Sequence, residues 1–150
     1  LQATFARADV TGNGRDDLIL LRQSTPEQPQ LSQLTLFTPD ADGRFTLLAD
    51  MALSTRTQPF TTIDFVDTAD LTGDGAADLL LRDGRTHQLM ALTHHSGALQ
   101  RMSIAGRCSG SLALVDTNED GTLDIVRSGC EDAPDRQTLT WDGARFTTQP

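Results

Sequence analysis

Short apolar runs alternate with Asp- and Gly-rich segments along the chain. The runs LILLR, LLLR and DIVR each follow such a segment, and the runs TFARAD, TIDFVDTAD and LALVD each precede one. Apolar stretches of strand length on both sides of a turn segment are typical of antiparallel hairpins, and no helical pattern flanks the segments. The pattern therefore predicts an all-β protein in which these segments form hairpin tips.

The hairpin pattern occurs three times, and each copy continues with two more predicted strands. A third strand begins at Gln33, Gln88 and Gln137, and a fourth lies around Phe45, Leu99 and Phe146. Four antiparallel strands per repeat is the composition of a propeller blade. We therefore expect a single domain over residues 1–150, a partial or open β-propeller of three four-stranded antiparallel blades at about 1–50, 51–105 and 106–150. The repeats differ in length mainly in two connections that we expect at the surface, Gln23–Leu31 and Met51–Pro59.

The three hairpin segments share one spacing of oxygen-bearing residues. They read DVTGNGRDD, DLTGDGAAD and DTNEDGTLD, over residues 9–17, 70–78 and 116–124. Oxygen-bearing side chains stand at the first, third, fifth and ninth positions, and a glycine at the sixth permits the chain to reverse. Converging oxygen ligands of this kind suit Ca²⁺. The predicted side-chain ligands are Asp9, Thr11, Asn13, Asp17, Asp70, Thr72, Asp74, Asp78, Asp116, Asn118, Asp120 and Asp124.

The residues also indicate which type of calcium loop is expected and which of the three copies should bind calcium most weakly. An EF-hand loop needs Glu at its twelfth position, which holds Leu20, Leu81 and Arg127 here, so that class is excluded. The first loop has Asn13 where the others have Asp, so we expect calcium in loops 70–78 and 116–124 and weaker binding in 9–17. The other interpretation is that Asp, Asn and Gly form turns by bonding their own backbone, without a metal.

The segments DLTGDGAADLLL and VDTNEDGTLDIV resemble the calcium loops of FG-GAP or integrin-type β-propeller repeats. The resemblance covers nearly the whole chain and implies a calcium-binding propeller module. Closed propellers have at least four blades, whereas only three repeats are present. An open three-blade assembly and a pair of chains that completes a six-blade ring both satisfy the pattern.

Charge and cysteine content indicate the compartment and exclude some partners. The 12 basic and 21 acidic residues give a net charge of −9, which repels nucleic acid and anionic lipid and attracts a basic partner. No apolar run is long enough for a membrane span.

Cys108 and Cys130 flank the third loop, and a disulfide between them would imply an oxidising compartment. Because the first residue is Leu1 and not Met, we expect an exported, periplasmic protein whose signal peptide has been removed. The alternative is a cytosolic protein in which the two cysteines are free thiols.

No pattern of catalytic residues is present in the sequence. It lacks a nucleophile elbow and a phosphate loop, so we expect a binding protein rather than an enzyme. The segment GRCSGS has small residues beside Cys108, and Ser109, Gly110 and Ser111 are the predicted partner contacts.

As a whole, the chain resembles periplasmic immunity proteins that neutralise type VI secreted peptidoglycan amidases, which implies inhibition of such an amidase. The alternatives are a calcium-dependent adhesion or carbohydrate-binding module and a structural homodimer.

Overall fold

The computed structural model describes residues 2–23, 32–53 and 62–149, and the two long connections lie mostly outside them. The first four strands form one antiparallel sheet in the order β1-β2-β3-β4. Their bounds are β1 Gln2–Ala8, β2 Asp17–Gln23, β3 Gln33–Pro39 and β4 Phe45–Ala52. We call this sheet blade 1.

The next eight strands form two further sheets of the same design. Blade 2 has the order β5-β6-β7-β8, with β5 Ile63–Ala69, β6 Asp78–Asp83, β7 Gln88–His95 and β8 Ala98–Arg107. Blade 3 has the order β9-β10-β11-β12, with β9 Ser111–Val115, β10 Asp124–Ser128, β11 Gln137–Trp141 and β12 Phe146–Thr148. The all-β fold of three four-stranded antiparallel blades is confirmed, with no helix and no closed barrel over the described ranges.

Blade 2 is buried on both of its faces. In β6, Leu79 and Leu81 belong to the apolar cluster shared with blade 1, whereas Leu80 belongs to the cluster shared with blade 3. Because successive strand residues point to opposite faces, a strand covered on both sides needs apolar residues at every position. This explains the unbroken run LLL after the second loop.

Blade 1, in contrast, is covered on one face only by the residues that the structure describes. Ile19 and Leu21 of β2 are buried against blade 2, whereas Leu18 and Leu20, which alternate with them, are half-buried. Phe5 and Leu47 are each 63% exposed. The blades therefore form an open row, in which the outer face of blade 1 keeps apolar side chains in contact with solvent.

Candidate functional site

The three Asp- and Gly-rich loops lie at the β1–β2, β5–β6 and β9–β10 hairpin tips, and the first Asp of each organises its loop. Asp9 accepts hydrogen bonds from the backbone N–H groups of Asn13 (2.9 Å) and Gly14 (2.7 Å). The other two loops repeat this arrangement. The N–H groups of Gly73 and Gly75 donate to Asp70, and those of Asp120 and Gly121 donate to Asp116. The sixth-position glycines have φ values of 80°, 86° and 87°, which the tight reversal requires.

The fifth-position side chain of each loop also holds backbone. Asn13 accepts the N–H of Arg15 at 2.9 Å, and the same bond joins Ala76 to Asp74 and Thr122 to Asp120. The Thr122 N–H also lowers the pKa of the exposed Asp120. These are the local bonds by which Asp and Asn form turns, so each loop is shaped by its own side chains.

The ninth-position aspartates are buried and tie the start of each loop to the following strand. Asp17 accepts the N–H of Thr11 at 2.9 Å, and Asp78 accepts those of Leu71 (2.8 Å) and Thr72 (3.1 Å). Burial raises the pKa of Asp78, against the opposing effects of the nearby Thr93 hydroxyl and the Leu71 N–H. Asp124 accepts the N–H of Thr117 at 3.0 Å.

Four buried oxygens of the first two loops make no hydrogen bond. They are the hydroxyl Oγ1 of Thr11 and of Thr72 and the Oδ1 of Asp17 and of Asp78, at the predicted third and ninth ligand positions. Desolvated oxygens without donors are costly unless a cation or water meets them, so their chemistry fits a hard cation. The sequence analysis expected the weakest calcium binding in the first loop because of Asn13, yet Thr11 and Asp17 of this loop have unbonded oxygens just as Thr72 and Asp78 do.

The third loop differs from the first two. There the Thr117 hydroxyl donates to Asp124 as well, and the Asn118 side-chain amide donates to Asp120 at 2.8 Å. Throughout residues 2–23, 32–53 and 62–149, no three Asp, Glu, His or Cys side chains gather into a group that could hold a metal. Any cation would therefore also need the hydroxyl, amide and backbone oxygens of a loop.

Neighbouring loops are joined across the blades, which the sequence did not reveal. The eighth residue of one loop donates its backbone N–H to the backbone carbonyl of the first Asp of the preceding loop. Ala77 donates to the Asp9 carbonyl at 2.8 Å, and Leu123 donates to the Asp70 carbonyl at 3.3 Å. The fourth-position glycine also lies against the seventh residue of the next loop. A Cβ on Gly12 would meet Ala76 at 3.3 Å, and one on Gly73 would meet Thr122 at 2.9 Å. Glu119 takes this fourth position in the last loop, with φ of 62°.

The segment Cys108–Ser111, which we call the corner segment, is fixed to its surroundings. Cys108 is joined to Cys130 by a disulfide, as the sequence predicted. The Cys108 N–H donates to the His87 carbonyl at 2.9 Å, and the Ser109 N–H donates to Glu131 Oε2, also at 2.9 Å. Glu131 Oε1 lies 2.5 Å from His87 Nδ1. The backbone N–H of Glu131, then His87 and Ser109, lower the pKa of this carboxyl to about 2.

The three predicted contact residues lie together on the corner segment. Ser109 is exposed, Gly110 is half-buried, and the Ser111 hydroxyl is hydrogen-bonded to that of Ser128 at 2.7 Å. The Gly110 carbonyl accepts a bond from Arg82 at 3.2 Å, and a Cβ on Gly110 would lie 2.0 Å from the Ser128 carbonyl oxygen. Only glycine therefore fits here, for lack of space rather than for chain flexibility.

A recurrent Arg–Gln pair explains the glutamine that begins two of the third strands. Arg22 donates to Gln33 at 2.6 Å in blade 1, and the buried Arg127 donates to Gln137 at 2.8 Å in blade 3. Arg127 also forms an ion pair with Asp132 at 3.2 Å. The sequence analysis missed this pairing, although the Arg next to the end of each second strand and the Gln that begins each third strand were its visible signal.

The fold and the loops define an all-β module of propeller-type blades with Asp- and Gly-rich hairpin tips. Residues 9–81 match the model of the FG-GAP-like repeat family, which supports that part of the resemblance. The matched segment runs from the first Asp of the first loop to the middle of β6 and so includes two of the three loops. No curated protein and no solved structure matches the chain.

Proposed function

We propose that this chain is a protein-binding module that uses the corner segment as its contact, and that its partner is a secreted enzyme which it inhibits. The observation that supports this is an exposed Ser109 on backbone held by a disulfide, by Glu131 and by Arg82. A segment that is already ordered loses little conformational entropy on docking. Rigid, narrow loops of small residues suit insertion into an active-site cleft.

The specific form of this proposal is a periplasmic immunity protein that blocks a type VI secreted peptidoglycan amidase. The net charge of −9 favours a basic partner and raises the rate of association with it. The disulfide is compatible with an exported protein. No helix of the described part of the chain is long and apolar enough to cross a membrane.

Calcium is part of the same proposal, as a stabiliser of the loops rather than as a contact to the partner. In loops 9–17 and 70–78 the free Thr hydroxyl and Asp oxygen would join the ion, with Asn13 or Asp74 nearby in the loop. In 116–124 the candidate oxygens are those of Asp116, Asn118, Asp120 and Asp124. A bound Ca²⁺ would supply positive charge to the buried oxygens of loops 9–17 and 70–78, which have no hydrogen-bond donor.

The test begins with capture of proteins from the periplasm of the source organism, followed by an assay of the captured protein for peptidoglycan amidase activity. A captured amidase whose activity disappears on binding supports the proposal. The double variant Ser109→Ala/Ser111→Ala should then inhibit at least about tenfold less well. Ser128→Ala is the matched control, because it loses the same Ser111–Ser128 hydrogen bond but leaves the corner segment unchanged. Full inhibition by the double variant would remove the corner segment from the proposal.

The second candidate function is a calcium-dependent adhesion or carbohydrate-binding module. A cleft between blades 2 and 3 favours it, because the cleft is lined by the single tryptophan, Trp141, and by polar side chains. Failure to capture any protein, together with binding of a glycan, would move the assignment to this class.

A further inference from the structure

The three blades stack in one direction, so the two ends of the row are different. Leu79 and Ile125, directly after the last Asp of their loops, pack toward the preceding blade. Ile19 and Leu80, at the next position of their strands, pack toward the following blade. The outer face of blade 1 is therefore of the type that a preceding blade covers, and the outer face of blade 3 is of the type that a following blade covers.

We propose that two copies of this chain associate head to tail through these two faces. The outer face of blade 3 of each copy packs on the outer face of blade 1 of the other, so that the contact occurs twice and closes a six-blade ring. A head-to-tail contact of this kind is heterologous and forms a closed assembly when its rotation returns to the first copy. The proposal does not depend on the protein partner proposed above.

The outer face of blade 1 has a patch of large apolar side chains. Phe5 is paired with Leu20 across β1 and β2, and Phe37 is paired with Leu18 and with Leu47 across β2, β3 and β4. Directly paired residues point to the same face of a sheet, so these five side chains lie together. Phe5 and Leu47 are largely exposed, and the other three are half-buried. A contiguous apolar patch of this kind is typical of an interaction surface.

The outer face of blade 3 has smaller side chains that suit this patch. Val126 is paired with Ala113 and Thr138 across β9, β10 and β11. Val115, two positions after Ala113, points to the same face and is 42% exposed. Packed sheets interdigitate their side chains, so the large residues of blade 1 can fit between the small and β-branched residues of blade 3.

The loops at the two ends of the row have complementary charges. At the two joints within the chain, the fourth residue of one loop is a glycine and lies against Ala76 or Thr122, the seventh residue of the next loop. At the joint between copies these two positions hold Glu119 and Arg15, which are both exposed. Arg15 donates one N–H to the Asp40 carbonyl at 2.9 Å and has further donors for a carboxylate. This joint is therefore an ion pair of two long side chains rather than the close approach that glycine allows.

Sedimentation equilibrium at micromolar concentrations tests the proposal, with twice the chain mass of 16.2 kDa as the expected result. Physiological salt is used, because each copy has a net charge of −9 and salt screens the general repulsion. Arg15→Glu alone and Glu119→Arg alone should each raise the dissociation constant of the dimer at least about tenfold, because each places like charges at both joints. An equimolar mixture of the two variants should restore the dimer, because each joint of the mixed pair again has one Glu and one Arg.

Arg85→Glu is the matched control, because it makes the same charge change at an exposed position of the β6–β7 turn, at the opposite end of blade 2 from its loop. This variant should remain a dimer, whereas Phe5→Asp should dissociate it by placing a charge in the apolar patch. Circular dichroism checks that every variant is folded.

The proposal is overturned if the wild type has the mass of one chain throughout the micromolar range. It is also overturned if Glu119→Arg associates as tightly as the wild type, or if the mixture of the two charge variants stays monomeric. A mass that rises beyond that of two chains would overturn it as well, because the ring would then not close.

Discussion

Reduction of the Cys108–Cys130 disulfide should lower the free energy of unfolding by about 3.4 kcal/mol. The two cysteines are 22 residues apart, and the chain-entropy relation for a closed loop of that length gives about 3.4 kcal/mol at 25 °C. Both residues are buried within the cluster between blades 2 and 3, so the thiols keep their packing and reduction isolates the effect of the cross-link. For a chain of this length the melting temperature should fall by about 7–14 °C.

The measurement is urea unfolding with and without a phosphine reductant, followed by circular dichroism at pH 8. The variant Cys108→Ala/Cys130→Ala serves as the comparison and should be less stable than the reduced wild type, because it also loses buried volume. A change of less than about 1 kcal/mol on reduction would refute the reasoning. It would mean that the reduced, unfolded chain retains enough structure to keep the two cysteines close together.

Other expected outcomes concern packing, pH and calcium. Gly110→Ala should cost at least about 2 kcal/mol because its Cβ meets backbone at 2.0 Å, whereas Gly129→Ala, with φ of 66° and nothing within 3.9 Å, should cost about 1 kcal/mol; urea unfolding compares them. Leu80→Ala should cost about 2–5 kcal/mol by the same assay, and a smaller loss would contradict its full burial. Because the pKa of Glu131 is lower in the folded protein than in the unfolded chain, its ionised carboxyl stabilises the fold above about pH 4.5. This stabilisation is lost as the pH falls from about 4.5 towards about 2. Glu131→Gln should therefore flatten the acid limb of the stability curve. Calcium at 100 times its Kd should add about 2.7 kcal/mol, and a melting curve that EDTA leaves unchanged would show that the loops bind none.

The strand pattern could be predicted because it is local. Gln33, Gln88 and Gln137 begin β3, β7 and β11 as expected, and the loop glycines have the predicted reversal. Hairpin tips and short apolar runs are set by residues close in sequence, so one sequence is enough to find them. The disulfide followed from the same hairpin register.

The contacts between blades could not be predicted in this way. The contact of His87 with Glu131 spans 44 residues, and the bond from Ala77 to Asp9 also joins two different repeats. Such contacts depend on how one sheet lies against the next, which the alternation of apolar residues does not specify. The cleft beside Trp141 is a feature of the same kind, because its two walls come from different blades.

The fourth position of the three Asp- and Gly-rich loops bears on how a further blade could be joined to the row. Gly12 and Gly73 have no side chain, and a Cβ on either would lie 3.3 or 2.9 Å from a side chain of the next loop. Glu119 has the same left-handed backbone but a full carboxylate side chain. A fourth blade placed beside blade 3 in the same manner would bring its loop against this side chain, which would have to turn aside. The joint between blade 3 and a further blade, from a second chain or from a longer one, would therefore differ from the joints at Gly12 and Gly73.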